Sequence, residues 1–372
     1  MDTLRLDIPT IAITGSAGKT TTKEMIASIL DTKWDIFKSY KNNNNPSLHT
    51  KKHAQMIEPW HQGVVLEYGM SREGFGKQHC SYIEPNISII TSIGFAHMGA
   101  LGGNLENIVE AKSALFKYMK PTGTLLINSD DENSKLLQTD SFKGQMITVG
   151  IKNKADYQAI NVTFLDNGML FQVLLDNHLE EFFIPCFGNF NVINALFAIA
   201  VSHRLHFTPS EIRKGLMNFE KPVRRLFVKH LRENAILVDD SYSANPQAVK
   251  AAIDVLSEIG KDKKKVVILG SMLELGHYST KFHEDIGKYV VMNKIDTILT
   301  YGKDAKSIGD GALSAGHPLA KLFHFEDREL LHAHIGDITT SNAAILVKGS
   351  NGMKMNMTVK YLVKKNGLKK KN

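Results

Sequence analysis

The stretch from Pro9 to Leu30, PTIAITGSAGKTTTKEMIASIL, decides the fold. Pro9 to Thr14 is a short, nearly all-apolar run of the kind that forms a fully buried strand. It passes directly into Gly15-Ser16-Ala17-Gly18-Lys19-Thr20, after which Met25, Ile26, Ile29 and Leu30 repeat on one helical face. A strand, a glycine-rich turn and a helix opening on Lys-Thr form the setting of a phosphate-binding loop. Glycines let the backbone bend around phosphate, while amides and the helix dipole stabilise its charge. In that setting Lys19 reaches the β- and γ-phosphates of ATP and Thr20 ligates Mg²⁺, with Gly15, Ser16, Ala17, Gly18 and Thr21 completing the cradle. Ile13 stands where the longer form of the motif has its first glycine, so the loop is a shortened one. A chance glycine-rich turn is the competing reading.

Working outward, Gly63 to Glu67, Asn86 to Thr91 and Thr124 to Asn128 read as further strands, with a helical pattern from Asn104 to Met119. Strands alternating with helices argue for an α/β protein with a mostly parallel sheet. From Gly144 to Pro185 the texture changes to short alternating stretches punctuated by Asp166-Asn167-Gly168 and Asp176-Asn177, which predicts antiparallel hairpins. A helix follows over Asn191 to Leu205, and the chain leaves this domain near Lys221-Pro222-Val223. A second α/β series then predicts strands at Ala235–Val238, Val266–Leu269, Thr297–Thr300 and Ala343–Val347. Helices are expected at Gln247–Ile259, Lys281–Asn293 and from near Met355. The expected architecture is a P-loop-type ATPase domain over residues 1–221, with a small antiparallel insert at 144–186. A Rossmann-like α/β domain over 222–372 completes it.

Phosphoryl transfer needs metal ions, and Mg²⁺ needs hard oxygen ligands. Glu67 ends an apolar strand expected beside the loop strand, and ligand sites collect at the carboxyl ends of such strands. His97 follows a third strand in the same way. Taken singly, a solvated strand-end glutamate and a surface histidine are the simpler readings of both, and Lys112 reads as an exposed helical lysine.

The chain has 372 residues, 43% hydrophobic and 22% charged, which suits two globular domains and excludes wholesale disorder. The net charge of +7 partly reflects Lys261 to Lys265 and the Lys369 to Lys371 tail. Neither run is interleaved with aromatic residues, so they read as solvated rather than as a nucleic-acid surface. Cys80 and Cys186 are far apart and lack metal-ligand spacing, which suits a reducing compartment. With no signal-peptide pattern and no apolar run long enough to span a bilayer, a cytoplasmic location without membrane contact is expected.

Several ordered motifs resemble the Mur ligase family over about Ile11 to Leu362. TGSAGKTTTKEM (Thr14–Met25) is similar to its shortened P-loop, and Val65-Leu66-Glu67-Tyr68-Gly69-Met70 to the strand whose glutamate holds Mg²⁺. IITSIGFAH (Ile89–His97) resembles the segment whose histidine binds a second metal ion. Glu110-Ala111-Lys112-Ser113 resembles the site of a lysine carbamylated by CO₂, a change that turns a cation into an oxygen ligand suited to Mg²⁺. GNFNVINA (Gly188–Ala195) resembles the adenine-binding helix start, with Asn191 and Asn194 as base contacts and Phe190 where histidine is usual. Arg225 matches an arginine that reaches the nucleotide from the domain junction. DDSYSANP (Asp239–Pro246) is close to the second domain's signature, in which Asp240 holds the ribose while Tyr242 and Asn245 shape the cleft. GSMLELG (Gly270–Gly276) and VKGS (Val347–Ser350) complete the series. Asn42-Asn43-Asn44-Asn45-Pro46 only partly matches an asparagine turn, from which Asn44 is taken as a nucleotide-site residue. Asn351 replaces an arginine.

The resemblance implies an ADP-forming ligase that uses ATP and two Mg²⁺ ions. A carboxylate attacks the γ-phosphate to give an acyl phosphate, and the amine of an amino acid or dipeptide then attacks the acyl carbon. Lys19, Lys112, His97 and Arg225 are the implied catalytic residues, and Thr20, Glu67, His97 and carbamylated Lys112 the metal ligands. The P-loop begins at Gly15, with no room before it for the domain that grips a UDP-sugar in the family. That predicts another carboxylate, or a partner protein supplying the grip. Competing readings are a folylpolyglutamate- or poly-amino-acid-type ligase, and a nucleotide-binding subunit of a complex.

Overall fold

The computed structural model describes residues 2–40, 46–95, 99–102, 104–337 and 341–369. These form two compact units, Met1–Pro222 and Val223–Asn372.

In the first unit β1 (Thr10–Thr14) leads into α1 (Lys19–Leu30), followed by β2 (Ile36–Lys38), α2 (Pro46–Ala54), β3 (Gly63–Glu67) and α3 (Phe75–Tyr82). Next come β4 (Ile87–Ile90), α4 (Leu105–Lys117), β5 (Thr124–Asn128), β6 (Gln145–Gly150), β7 (Tyr157–Leu165), β8 (Gly168–Leu175) and β9 (His178–Ile184). Helices α5 (Asn189–Arg204) and α6 (Pro209–Asn218) close the unit. The strands make one sheet in the order β2-β3-β1-β4-β5-β6-β7-β8-β9. All pairs from β2 to β7 are parallel, and β7-β8-β9 are antiparallel. The antiparallel part therefore starts at Tyr157, later than the change of texture at Gly144 predicts. Gln145–Gly150 alternates like a hairpin strand because only its Ile147, Val149 and Gly150 are buried, yet it pairs parallel with β5.

β1 is buried along its whole length because it has a parallel neighbour on each side. The apolar face of α1 (Met25, Ile26, Ile29, Leu30) shares one core with α5 and with the inner face of the antiparallel strands (Met169, Phe171, Val173, Phe182, Ile184). α5 is buried continuously from Asn191 to Ser202 and so lacks a polar face. α4 packs against α3 and against β1 and β4. α6 opens on a capping box, Thr208 with Glu211, followed by Pro209.

The second unit contains β10 (Phe227–His230), β11 (Ile236–Asp240), α7 (Pro246–Ile259), β12 (Lys264–Gly270), α8 (Ser279–Met292) and β13 (Thr297–Tyr301). It continues with α9 (Lys306–Ser314), β14 (Leu322–Phe325), α10 (Arg328–Asp337), β15 (Ala343–Lys348) and α11 (Asn356–Asn366). Its sheet runs β10-β11-β15-β12-β13-β14, parallel except for β10. Lys264 and Lys265, read above as part of a solvated run, lie in β12, where the amide of Lys265 donates to Asp296. Lys370 and Lys371 lie outside the described residues. No helix among the described residues is long and apolar enough to cross a membrane.

Candidate active site

Parallel register sets Glu67 beside Ile13 on one side of β1 and Ile90 beside Thr14 on the other. The carboxyl ends of β3 and β4 thus flank the turn Gly15–Gly18, at the point where the strand order reverses. The turn is clamped by the segment after β4. Ser16 N donates to Ser92 O at 2.9 Å and Ala17 N to Ser92 Oγ at 3.0 Å. Ser16 Oγ donates to Gly94 O at 2.8 Å, and Thr91 Oγ1 donates to Ala17 O at 2.5 Å. The amides of Ser16 and Ala17 are therefore occupied, which leaves the start of α1 as the anion-facing part of the loop. That helix begins from Gly18 without a side-chain cap.

Two glycines are set by close approach. A Cβ at Gly15 would lie 2.0 Å from Thr91 Oγ1, and one at Gly18 (φ 86°) would lie 2.4 Å from Asn194 Oδ1. Asn194 also accepts from Thr22 Oγ1 at 3.2 Å and donates to Asn191 Oδ1 at 3.1 Å, while Asn191 Nδ2 donates to Phe187 O at 2.8 Å. Asn191 and Asn194 are buried and largely occupied with each other, with Thr22 and with Phe187. In this geometry they brace α5 against the phosphate loop.

Lys19 Nζ donates to Gly15 O at 2.7 Å, and Thr20 Oγ1 donates to Glu67 Oε2 at 2.9 Å. Thr21 is buried in the first turn of α1. Lys112 is 2% exposed, which corrects its reading as a surface lysine. Burial, and then the charge of Lys19, push its pKa down to about 7. No carboxylate among the described residues pairs with it. His97 and Asn44 lie outside the described residues, and no group of three or more His, Cys, Asp or Glu among the described residues could hold a metal ion.

In the second unit Arg225 Cζ lies 4.4 Å from the centre of the Tyr242 ring, and its buried Nε has no hydrogen-bond partner. Arg224 and Leu226 on either side adopt left-handed backbone, φ 63° and 45°. Arg224 Nη2 donates to Ser241 O at 2.6 Å, and Leu226 N donates to Asp240 Oδ1 at 3.1 Å. Asp240 Oδ2 accepts from Lys348 Nζ at 2.5 Å, and Lys348 also donates to Ser243 O at 2.8 Å. Both oxygens of Asp240, which the resemblance assigns to ribose, thus already have partners within the unit. Asn245 Oδ1 caps α7 by accepting from Ala248 N at 2.8 Å.

The model of the Mur ligase middle domain matches residues 13–202, and that of the Mur ligase glutamate ligase domain matches residues 224–351. The chain belongs to the Mur ligase family. It is 34% identical over 354 residues to the UDP-N-acetylmuramoyl-tripeptide–D-alanyl-D-alanine ligase of Bacillus subtilis, covering 95% of this chain and 75% of that protein. The likeness to MurF from Acinetobacter baumannii has a TM-score of 0.87 at 26% identity, over 96% of this chain and 77% of that one. MurF from Thermotoga maritima, solved with ADP, shares the fold with a TM-score of 0.82 at 22% identity, over 96% and 80%. This Mur ligase is accordingly an ATP-dependent, ADP-forming ligase that joins an acid to an amino-acid-type amine through an amide bond.

Of the expected residues, the fold brings together Gly15 to Thr21, Glu67, Lys112, Asn191 and Asn194 within the first unit. Arg225, Asp240, Tyr242 and Asn245 gather at the start of the second unit and the end of β11. Sequence reading assigned no role to Thr91 and Ser92, whose hydroxyls clamp the loop, or to Thr22. It also missed Ser39, whose hydroxyl accepts from Glu67 N at 3.0 Å. Thr91 and Ser92 directly follow an apolar strand beside the P-loop strand, which was the available signal. Ser39 offered none.

Proposed function

We propose that this ligase joins a peptide carboxylate to a D-alanyl-D-alanine-type dipeptide amine by way of an acyl phosphate, and that the first unit holds Mg²⁺-ATP. The observation that carries this reading is the hydroxyl–carboxylate pair Thr20–Glu67 at the end of β3, beside the phosphate loop. A hydroxyl and a carboxylate are the hard oxygen donors that Mg²⁺ prefers, so the two side chains would suit one ion between them. Thr20 and Glu67 would hold one Mg²⁺, and a carbamate on buried Lys112 would offer oxygens to a second. Bound there, Mg²⁺ would supply charge neutralisation for the transferring phosphoryl group.

The chain's own groups supply the rest. Lys19 swings from Gly15 O to the β- and γ-phosphates, and the open start of α1 accommodates their charge. Lys112 suits carbamylation because burial lowers its pKa to about 7, which leaves a sizeable share of the amine neutral near pH 7. That amine adds to CO₂, releases one proton and becomes a carbamate anion, whose oxygens are ligands of the kind Mg²⁺ prefers. The amine named in the relatives' activity supplies the dipeptide part of the proposal.

The test is phosphate release by the isolated chain with ATP, Mg²⁺, UDP-muramoyl tripeptide or simpler peptide carboxylates, and a panel of amino acids and dipeptides. Release that depends on D-alanyl-D-alanine and on one carboxylate supports the reading. Release with ADP but with a different amine replaces the substrate assignment. Activity that appears only with a second polypeptide makes the chain a subunit of a larger ligase.

A further inference from the structure

Lys23 is a buried cation that the reaction above does not use. It lies one turn beyond Thr20 on α1 and is 2% exposed. Its Nζ pairs with Glu24 at 2.9 Å, and Glu24 also holds Lys38 at 2.7 Å. Neutralising Lys23 would need no more than Glu24, yet its Nζ also donates to the carbonyl of Ser39 at 2.9 Å. Ser39 follows directly on β2 and is itself 4% exposed. Its amide donates to Val65 O at 2.9 Å, extending the β2–β3 pairing, and its hydroxyl accepts from Glu67 N at 3.0 Å.

We propose that Lys23 is a positioning residue for the Thr20–Glu67 pair, acting through Ser39. The three contacts form one continuous path: Lys23 Nζ to Ser39 O, Ser39 Oγ to Glu67 N, and Glu67 Oε2 to Thr20 Oγ1. The path leaves α1 at Lys23 and returns to it at Thr20, three residues earlier. The single helix therefore sets both the hydroxyl and, by way of the end of β2, the carboxylate facing it. On the β1 side the ladder continues past Glu67 through Tyr68 N to Ile13 O at 2.9 Å, whereas on the β2 side the Glu67 amide has the Ser39 hydroxyl as its acceptor. A buried charge that grips a backbone carbonyl resists displacement more than a neutral donor, because ammonium–carbonyl bonds are charge-assisted.

The inference rests on the reading of Thr20 and Glu67 as metal ligands, and its test separates the two. Mn²⁺ binding to the full chain with ADP is titrated by electron paramagnetic resonance for the parent, Glu67→Ala, Ser39→Ala, Lys23→Met, Lys23→Arg and Glu24→Gln. Outer partners of metal ligands typically change affinity by about 10- to 100-fold. Ser39→Ala and Lys23→Met are each expected to raise the Mn²⁺ dissociation constant about tenfold, with no further rise in the double variant, and Lys23→Arg to restore much of the loss. Glu24→Gln disturbs the same buried charge but leaves the Ser39 contact, so it is expected to lower thermal stability without moving the Mn²⁺ constant. Parent-like Mn²⁺ affinity in Ser39→Ala, which removes one hydroxyl and leaves the buried ion pair intact, overturns the proposal even if Lys23→Met does not fold. An equal effect of Glu24→Gln also overturns it. Mn²⁺ binding unchanged in Glu67→Ala instead overturns the assignment of the metal ligands.

Discussion

The buried ammonium of Lys112 lies within reach of the charge on Lys19: desolvation first, and that second cation after it, bring the Lys112 pKa down to about 7. Converting Lys112 to a carbamate anion would turn its repulsion from Lys19 into attraction. Lys112→Ala is therefore expected to lose at least about 100-fold in turnover, the scale of a removed metal-site or charge-stabilising group. Acetate or formate should restore part of the loss by supplying the missing oxygens. Carbon-13 NMR of enzyme equilibrated with labelled bicarbonate should show one carbamate resonance that Lys112→Ala lacks. Its absence from an active preparation would exclude the modification.

Lys19→Ala removes the phosphate cation from a loop whose shape is held by other groups. The Ser16, Ala17 and Thr91 hydrogen bonds do not involve the Lys19 side chain. Turnover is expected to fall about 10³-fold, by analogy with loss of a preorganised charge-stabilising donor. The melting temperature should stay within about 2 °C, because Lys19 is only partly buried and the change removes its contact with Gly15 O but no core packing. Retained amide formation would remove the loop from the mechanism.

What could be read from sequence follows the size of each segment's apolar signal. Gly63–Glu67 and Thr124–Asn128 form strands at the bounds read, because apolar runs there end abruptly in polar residues. Nothing comparable marks Pro46–Ala54, whose one large apolar residue, Leu48, is 60% exposed, or the short helix Phe75–Tyr82. The sequence reading passed over α6, although Thr208 and Glu211 form a capping pattern at its start. The site divides in the same way. Glycines and Lys-Thr in the loop have a local spacing, but Lys112 owes its character to α4 packing against β1 and β4, which no local pattern states. Asn191 and Asn194 were legible as a motif, whereas their contacts with Thr22 and Gly18 depend on how α5 meets α1.

His79 gives the first unit a pH-dependent stability. Its Nε2 faces the carbonyl of Gly69 at 3.1 Å, which can only accept, so Nε2 carries the hydrogen and Nδ1 accepts from Thr50 Oγ1 at 2.6 Å. Burial holds its pKa near 4, against 6.5 for an unperturbed histidine. The unfolded chain therefore takes up a proton that the folded chain refuses between pH 6.5 and 4. Stability from this group is complete above about pH 6.5 and declines as pH falls toward 4. At about 1.4 kcal/mol per pKa unit the loss reaches about 3 kcal/mol. His53, also lowered to about 4, adds in the same direction. Urea unfolding of the parent and His79→Gln from pH 7 to 5 should show a smaller pH slope in the variant. Equal slopes would exclude His79 as the source.

Asp240 and Lys348 form a buried ion pair between the ends of β11 and β15, where the strand register places them side by side. Removing one member of such a pair leaves a charge without its partner in a poorly solvated place, at a typical cost of about 3–5 kcal/mol, whereas replacing both by neutral groups is often close to neutral. Lys348→Met is expected to be the more damaging single change, because Asp240 then keeps, among the described residues, only the Leu226 amide as a donor. Asp240→Asn leaves Lys348 the Ser243 carbonyl and should cost less. The double variant is expected to recover at least about 1 kcal/mol relative to the sum of the singles, the usual scale of coupling between contacting residues. The measurement can be confined to the second unit, because both tryptophans, Trp34 and Trp60, lie in the first. Tryptophan fluorescence during urea unfolding then reports the first unit alone. Far-UV circular dichroism reports both units, so the shift belonging to the second appears as the difference between the two curves. Strict additivity of the two substitutions would show that Asp240 and Lys348 stabilise the unit independently and that their proximity carries no energy.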